Sequence, residues 1–244
     1  GKWALAFLTY SPKQMLLFHA DYIEVCKRDP KTVNTCVLNS IENLRPKLKD
    51  GIPELGVPGI EPFYIPEIVV DTGNLVQFSA IGKDVKVTGA SNFNIKSLNV
   101  DLDTLTFRGR VRFPKLHFDG KYKVDGRLLV VPIHGQGNIV ADAMKCEAEL
   151  VLKAERIDRN GLQYVKFTSL DVDVKIKDYR LRLEGLFDGD KTLGQAANEA
   201  INQNRAEFLK ASKPYIERTV SKHILEIANK VVANFTIDEL LPKP

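Results

Sequence analysis

The last quarter of the chain carries a helical pattern that is too long to fit inside a compact protein. Between Thr192 and Phe235, apolar residues recur at the spacing of one helix face. The pattern predicts one helix, interrupted only at Pro214, with a length on the order of 65 Å. A sphere of 244 residues has a radius of gyration of only about 18 Å, so the sequence predicts an elongated molecule. The stripe consists of Leu193, Ala197, Ile201, Phe208, Tyr215, Ile224, Ile227 and Val231.

The middle of the chain, from about Leu75 to Leu186, has the period of two that is typical of half-buried strands. Asp119-Gly120, Asp125-Gly126 and Arg159-Asn160-Gly161 favour hairpins or bulges, and no helix-length segment separates the strands. These features predict an antiparallel sheet. Together with the long helix they indicate a single α+β domain, in which a strongly curved sheet wraps along the C-terminal helix.

A shorter helix and a proline-rich segment precede the strands. Apolar residues at helical spacing predict a helix from Asn34 to Lys49, with Asn34 as its N-cap and Gly51 just beyond its end. Pro46 is expected to bend or end this helix locally. Residues 51–66 are rich in proline and glycine, which predicts an extended strap across a surface rather than regular structure.

The three cysteines divide into a close pair and a single residue. In an oxidising compartment, Cys26 and Cys36 would form a disulfide that stabilises the fold by about 3 kcal/mol. A metal site would need more ligands at matched spacing, and His19 lies outside the ring, so the disulfide is favoured and no metal or cofactor is predicted. Cys146 alternates with acidic residues, which indicates a buried, inert strand cysteine rather than a reactive thiol.

Composition excludes several classes of partner. The net charge of +4 comes from 35 basic and 31 acidic residues scattered along the chain, which disfavours nucleic acid. The basic run from Arg108 to Arg112 alternates with small or apolar residues, as the solvent face of a strand does. No stretch approaches the roughly 18 to 20 apolar residues of a membrane span, so no stable membrane insertion is expected. Residues 1–20 are expected to be a signal peptide or a disordered N-terminus before a domain at 21–244.

The sequence contains no motif that indicates catalysis or nucleotide binding. The sequence lacks G-x-S-x-G and H-E-x-x-H, so we expect no enzyme activity, with a lipid esterase as the remaining catalytic alternative. Gly135-Gln136-Gly137 opens no helix and predicts a bulge or a hairpin instead of a phosphate loop. Asn234 begins an N-F-T acceptor for glycosylation, which matters only if the chain is secreted.

Three segments carry a resemblance to a known family. They are Cys26 to Pro66, with the paired cysteines, ENLRPKL and GIPELGVPGIEPFYIPEI; Phe118 to Asn138, FDGKYKVDGRLLVVPIHGQGN; and the long helix followed by DELLP at Asp238 to Pro242. In order and spacing the chain resembles the takeout and juvenile-hormone-binding family of insects. The resemblance implies a secreted, monomeric protein with a tubular lipid-binding fold. It also implies one elongated ligand, such as a terpenoid, fatty acid or quinone, in an apolar tunnel between sheet and helix.

The hormone-binding branch of this family usually carries a second disulfide, and Cys146 has no partner for one. The chain therefore resembles the takeout branch more closely. The resemblance implies a carrier for transport or for signalling linked to feeding or circadian rhythm, with an unidentified receptor as a further partner. A surface interaction protein, for example one that binds microbial lipids, is the alternative that needs no transported ligand.

The predicted lining of the tunnel comes from inward strand positions and from one face of the long helix. Each of these residues has simple core packing as its alternative role, and a bulge would invert a strand's assignment. Tyr122 and Tyr164 are candidates for a hydrogen bond to a ligand carbonyl, although packing is the commoner role. The predicted lining is Val100, Leu102, Leu105, Phe107, Val111, Phe113, Tyr122, Val124, Leu128, Val130, Ile139, Ile201, Phe208 and Ile224.

Overall fold

A curled antiparallel sheet forms most of the molecule. The computed structural model describes residues 22–71, 78–128 and 131–244. The sheet has six strands in the order β3-β4-β6-β7-β8, with β5 paired to β6, and a separate two-stranded hairpin joins β1 to β2. The strands are β1 (Gly51–Ile52), β2 (Val57–Pro58), β3 (Phe63–Asp71), β4 (Phe78–Thr88), β5 (Asn94–Asp101), β6 (Thr106–Leu128), β7 (Val131–Arg159) and β8 (Leu162–Leu183).

The α-helices in the described part of the chain are α1 (Val33–Asp50), α2 (Lys191–Gln203), α3 (Arg205–Val232) and α4 (Ile237–Leu240). The expected break at Pro214 is wrong, because this proline lies inside α3 and the helical run is divided at Asn204 instead. Asn204 has φ −104° and ψ 27°, and its side-chain amide donates to the Ala200 carbonyl oxygen at 2.8 Å. Leu193 is 52% exposed and so does not belong to the apolar stripe. No helix in the described part of the chain is both long and apolar enough to cross a membrane.

The first helix differs from its prediction at its beginning, whereas Gly51 lies just beyond its end as predicted. Its N-cap is Thr32, and Asn34 lies inside the helix, where its side-chain oxygen accepts a hydrogen bond from Val100 N at 2.7 Å. That contact ties α1 to β5. At the other end the helix runs through Pro46 to Asp50 before Gly51 ends it.

The predicted strap is partly regular structure. Residues 51–58 form the β1–β2 hairpin around a short 3-10 turn, and β3 already begins at Phe63. The hairpin is ordered by burial, because Ile52, Leu55 and Val57 are buried against Phe235. The prediction of an extended strap was therefore wrong for these residues.

Two of the three segments predicted as hairpins or bulges lie within a strand, and one of them is at a bulge: the pairing of β4 with β6 shifts register between Lys83 and Lys86, where Asp84 and Val85 stand opposite Gly120. Asp119-Gly120 and Asp125-Gly126 are internal to β6, and only Arg159-Asn160-Gly161 joins two strands, β7 and β8. Gly120 serves close strand packing, because an added Cβ would meet the Val85 Cα at 3.1 Å. Gly135-Gln136-Gly137 is not a hairpin, but the pairing of β7 with the chain after β8 shifts by one residue here, from Ile139↔Leu183 to Gly135↔Leu186, as at a bulge. It lies in β7 where the chain after β8 crosses closely, and a Cβ at Gly135 would meet the Gly185 carbonyl oxygen at 2.8 Å.

The alternation of inward and outward side chains reverses along one line across the three longest strands. Pro114, Lys145 and Lys177 occupy equivalent positions in the register, and all three are exposed. On β6 the inward positions are odd-numbered up to Phe113 and even-numbered from Leu116 onward. Because the neighbouring strands reverse their alternation at the same line, the pairing of β6 with β7 continues without a register shift. The sheet therefore keeps one continuous inner face.

Buried side chains form a cluster at each end of the long strands, and a smaller cluster of Ile65, Val85 and Val87 lies between them on β3 and β4. At the α2 end, the core contains Val70, Tyr122, Val124, Ile133, Leu181, Leu183, Leu186, Ala197 and Ile201. At the opposite end, which we call the disulfide end, it contains Cys26, Val33, Val100, Leu105, Val165, Phe167, Ile237 and Leu241. Phe107 packs at the disulfide end and Tyr122 at the α2 end, so the two ends are on the order of 50 Å apart along β6.

Candidate ligand-binding surface

The inner face of the sheet is formed by the side chains of β6, β7 and β8 that alternate toward α3. Among the described residues at these positions, all are apolar, glycine, cysteine or tyrosine, and none is charged. Charged residues occupy the opposite face, where Arg110 pairs with Glu149 at 3.3 Å and Lys175 with the same carboxylate at 3.1 Å. Strand alternation thus separates an apolar interior from a charged exterior.

Between the two packed ends lies a middle section with a different character. Val111, Phe113, Val174 and Ile176 face inward but are only half-buried. The β7 residues between them have small side chains. The four clusters of packed side chains in the described part of the chain do not include these residues. The middle section consists of Val111, Phe113, Ala143, Cys146, Ala148, Val174 and Ile176.

The helix opposite this section is also incompletely buried. Of the residues of α3, only Ser212 is fully buried, although the helix lies along β8 and beside β3. A helix packed directly on a sheet would bury a continuous row of its side chains. The apolar side chains of α3 instead remain partly accessible while they face the sheet.

The predicted lining residues whose side chains the structure describes fall into three groups along the enclosure. Leu128 has an undescribed side chain and Val130 lies outside the described residues. The predicted lining residues at the two ends of the strands pack into the core clusters there, so core packing and ligand contact are both open roles for them. Val100, Leu102, Leu105 and Phe107 lie at the disulfide end; Tyr122, Val124, Ile139, Ile201 and Phe208 lie at the α2 end; Val111 and Phe113 lie in the middle section, and Ile224 is half-buried on α3.

Several inward residues were not selected from the sequence. Ala143, Ala148, Val174 and Ile176 continue the same alternation on β7 and β8, and this alternation was the signal that could have identified them. Cys146 lies among them as a free, buried cysteine, as its pattern predicted. Burial raises the pKa of its thiol to about 11, so the thiol stays protonated at neutral pH.

The interior tyrosines already donate to the protein backbone. Tyr122 donates to the Glu184 carbonyl oxygen at 2.9 Å, and Tyr179 donates to that of Arg205 at 2.5 Å. Burial raises the pKa of both phenols to about 12. The Tyr122 O–H is therefore engaged within the protein, which disfavours its candidate role as a donor to a ligand carbonyl and favours the alternative role in packing.

One edge of the sheet is joined to the helices by side-chain amides. Asn198 accepts from the backbone N of Leu183 at 2.8 Å and donates to its carbonyl oxygen at 2.9 Å. Asn202 makes the same pair of bonds to Leu181, at 2.9 and 2.7 Å. Asn229 repeats the arrangement at Phe167, with both bonds at 2.9 Å. These amides take the place of a missing neighbouring strand and close this side of the inner surface.

The other edge of the sheet meets α3 differently. The Tyr215 hydroxyl donates to the Asp71 carbonyl oxygen. Val220 packs near the buried Ile65, and the His223 ring lies edge-on to Phe63 with centroids 6.3 Å apart. The two edges of the sheet thus lie on either side of one helix, which completes a tube-like enclosure.

The disulfide end is covered by the first and last segments of the described chain. Cys26 and Cys36 are bonded, and Cys26 N donates to the Leu240 carbonyl oxygen at 3.1 Å. The disulfide, α1 and α4 therefore cover one end of the enclosure. Asn234 is exposed nearby, while Thr236 caps α4, so glycosylation stays a prediction.

The described residues do not bring together three or more histidine, cysteine or acidic side chains in a position to hold a metal ion. The predicted signal peptide at 1–20 lies outside the described residues. What the structure presents is one long apolar surface, enclosed by a sheet and a helix.

Comparison with known proteins matches this architecture. The family model described as haemolymph juvenile hormone binding protein (JHBP) matches residues 4–242. The crystal structure of Takeout 1 from Epiphyas postvittana aligns with a TM-score of 0.77 at 23% identity, over 90% of this chain and 99% of that one. That similarity establishes the fold: a curled antiparallel sheet with a long C-terminal helix.

Two curated relatives are similar along most of their length. The circadian clock-controlled protein daywake of Drosophila melanogaster is 26% identical over 218 residues, which cover 86% of this chain and 84% of daywake. A putative beta-carotene-binding protein of Schistocerca gregaria is 24% identical over 206 residues, covering 83% and 81% of the two chains.

Proposed function

Because the chain belongs to the haemolymph juvenile hormone binding protein family, we propose that it is a non-catalytic carrier of one elongated apolar molecule. The ligand would lie between the inner face of the sheet and α3. The observation that supports this most directly is the middle section, where the inward side chains of Val111, Phe113, Val174 and Ile176 remain half-buried although they face a helix. A ligand there would replace the missing contacts.

The energetics of such a site need no charged group. Each methylene that a ligand buries contributes roughly 0.8 kcal/mol, so a chain of about a dozen carbons can reach micromolar affinity after the cost of association. The distance between the two packed ends favours a long, narrow ligand over a compact one. The name of the Schistocerca relative, a putative beta-carotene-binding protein, is compatible with a ligand of this shape.

We also propose that the carrier works outside the cell. The Cys26–Cys36 disulfide supports this, because such bonds persist in oxidising compartments. Secretion is tested by expressing the full-length gene product with a C-terminal tag in insect cells and measuring the tagged protein in medium and lysate. Retention in the lysate would contradict this part of the proposal.

The carrier function is tested with the purified, delipidated protein and a fluorescent apolar probe. We expect Val111→Trp, which fills the middle section, to weaken probe binding at least tenfold, since several methylene contacts are lost. Val151→Trp is the matched control, because Val151 lies on the outer face of β7. Equal probe affinity of the two variants would argue against an internal site. It would favour a protein that acts through its outer surface.

A further inference from the structure

We propose that the outer side of α3 binds a linear polyanion of the class of sulfated polysaccharides. This surface lies outside the enclosure, so the inference goes beyond the carrier function and does not depend on which ligand is carried. Its basis is a row of basic side chains that the helix brings together and that the rest of the described chain leaves unpaired.

The net charge of the protein is concentrated in this helix. The 28 residues of α3 include six basic and three acidic side chains, a net charge of +3, whereas the whole chain of 244 residues has a net charge of +4. In the sequence these basic residues are spread among apolar and polar ones. The helical repeat of 3.6 residues brings every fourth residue to the same side of neighbouring turns.

Beyond its first turn, every exposed residue of α3 belongs to one row with intervals of four. One member is acidic and four are basic, and we call these four the basic ridge. At 1.5 Å per residue the row is about 30 Å long. The row consists of Lys210, Pro214, Arg218, Lys222, Glu226 and Lys230, and the basic ridge of Lys210, Arg218, Lys222 and Lys230.

The charges of the basic ridge are not compensated within the described part of the chain, where none of its four side chains forms an ion pair. The Arg218 guanidinium lies 5.9 Å from the centre of the Tyr215 ring, a contact that leaves its charge in place. Arg218 and Lys222 stand one turn apart, where like charges repel. The helix therefore carries a local electrostatic cost, which an anionic partner would remove.

The basic residues of α3 that point toward the sheet are treated differently. Arg205 pairs with Asp178 at 3.1 Å, and Lys213 pairs with Asp173 at 2.5 Å. Both carboxylates belong to β8. The positive charge that remains free is thus the charge that faces away from the sheet.

The shape and chemistry of the ridge distinguish between anionic partners. Residues four apart in a helix are rotated by about 40°, so the row winds obliquely around α3 and cannot lie flat on a membrane. A protein partner would need apolar or aromatic anchors, and a lipid surface would need side chains that enter it. The large apolar side chains that are exposed in the described chain all lie outside α3: Val25, Tyr64, Val69, Met144, Leu162 and Leu193.

A flexible chain with a repeated anionic group can follow an oblique row and needs no apolar contact. Sulfated polysaccharides are such chains in the extracellular space. The choice of this class therefore rests on the proposed extracellular location, whereas the preference for a polyanion rests on the basic ridge alone.

The test uses a heparin decasaccharide as the probe and the purified full-length protein, with affinity measured by calorimetry at pH 7.4. We expect binding that weakens as the NaCl concentration rises. The triple variant Lys210→Gln, Arg218→Gln and Lys222→Gln should bind at least about tenfold more weakly, because three exposed ion pairs are lost together.

A second triple variant provides the matched control, because it lowers the net charge by the same amount. It carries Lys83→Gln, Lys121→Gln and Lys123→Gln on the outer face of β4 and β6, where all three lysines are exposed. Acidic side chains balance this face locally: Glu67 lies opposite Lys83, and Asp119 is two residues from Lys121. We expect its heparin affinity to stay within about twofold of the wild type.

Far-UV circular dichroism checks that both variants fold. Equal losses of affinity in the two variants, or no binding by the wild type, would overturn the inference. Phosphatidylserine vesicles and a DNA duplex are titrated in the same way, and tighter binding to either than to heparin would overturn the assignment to a polysaccharide. The fluorescent apolar probe should bind the ridge variant as tightly as the wild type. A wild type that binds heparin through the ridge but not the apolar probe would overturn the carrier function alone.

Discussion

Each side-chain amide that bonds both backbone groups of a β8 residue, at Asn198, Asn202 and Asn229, can be called an amide clamp. Loss of one amide clamp should destabilise the whole protein. The perturbation is Asn202→Ala, which removes the hydrogen bonds at 2.9 and 2.7 Å to the backbone of Leu181. Leu181 is only 6% exposed, so water cannot readily replace the lost partner. One donor and one acceptor would remain buried without hydrogen bonds.

The magnitude follows from these two groups. Each unsatisfied buried group costs about 1–3 kcal/mol, and the higher helix propensity of alanine returns up to about 0.7 kcal/mol. Together the two groups, less the gain in helix propensity, should lower the free energy of unfolding by about 1–5 kcal/mol. For a chain of this size, each 1 kcal/mol lowers the Tm by roughly 2–4 °C.

Urea unfolding followed by far-UV circular dichroism measures the difference. Asn39→Ala is the matched control, because Asn39 is exposed in α1 and its replacement changes helix propensity in the same way. If the two variants differ by less than about 0.5 kcal/mol, the amide does not secure the edge strand and the reasoning is refuted.

Three further predictions concern the disulfide, the half-buried carboxylate of Glu61 and the free thiol. Replacing both Cys26 and Cys36 with serine should lower the free energy of unfolding by about 3 kcal/mol, and a reducing agent should affect the wild type but not the variant. Burial alone would raise the pKa of Glu61, but hydrogen bonds from Gly89 N and from the backbone and hydroxyl of Ser91 outweigh it and lower the pKa below its usual 4.5. The unfolded chain therefore binds more protons than the folded one just below pH 4.5. The contribution of the Glu61 carboxylate to the free energy of unfolding is complete above that pH and is lost as pH falls through the lowered pKa. In urea titrations, Glu61→Gln should be less stable than the wild type at pH 7, and its free energy of unfolding should change less between pH 7 and acid pH. Cys146 should react with a thiol reagent at pH 8 far more slowly in the native than in the unfolded protein, and equal rates would contradict its burial.

The sequence was most informative where a single physical period dominates. Alternation along the strands predicted the antiparallel sheet, and the helical stripe predicted an elongated molecule with a helix along it. Alternation also placed Val111 and Tyr122 on one face, although the parity reverses between them at Pro114. The sequence itself records this reversal, because the apolar residues change from odd-numbered to even-numbered positions at Pro114 and the polar residues change in the opposite sense.

Residues typical of turns left a choice between a hairpin and a bulge. Asp119-Gly120 is internal to β6, and the bulge is the correct alternative there, because the register with β4 shifts opposite Gly120 and that strand approaches the glycine closely. The position of the helix break was wrong. Pro214 cannot donate to the helix but is accommodated within α3, whereas Asn204 interrupts the run through its backbone conformation.

The hydrogen bonds of the inner surface were beyond the reach of the sequence. Asn198, Asn202 and Asn229 look like ordinary polar helix residues in the sequence, and nothing local identifies their backbone partners on β8. These contacts depend on how the helix lies along the strand edge. The same holds for Tyr122, whose hydroxyl is engaged by a carbonyl group 62 residues further along the chain.

The amide clamps also have a consequence for folding during synthesis. The edge strand β8 leaves the ribosome before the helices that cover it, so for a time its backbone groups have neither a strand nor an amide beside them. An uncovered edge of this length is a template for pairing with another chain. Synthesis of the last helices is therefore the step that ends the risk of intermolecular association, and a chain stalled before Asn198 should depend on chaperones for its solubility.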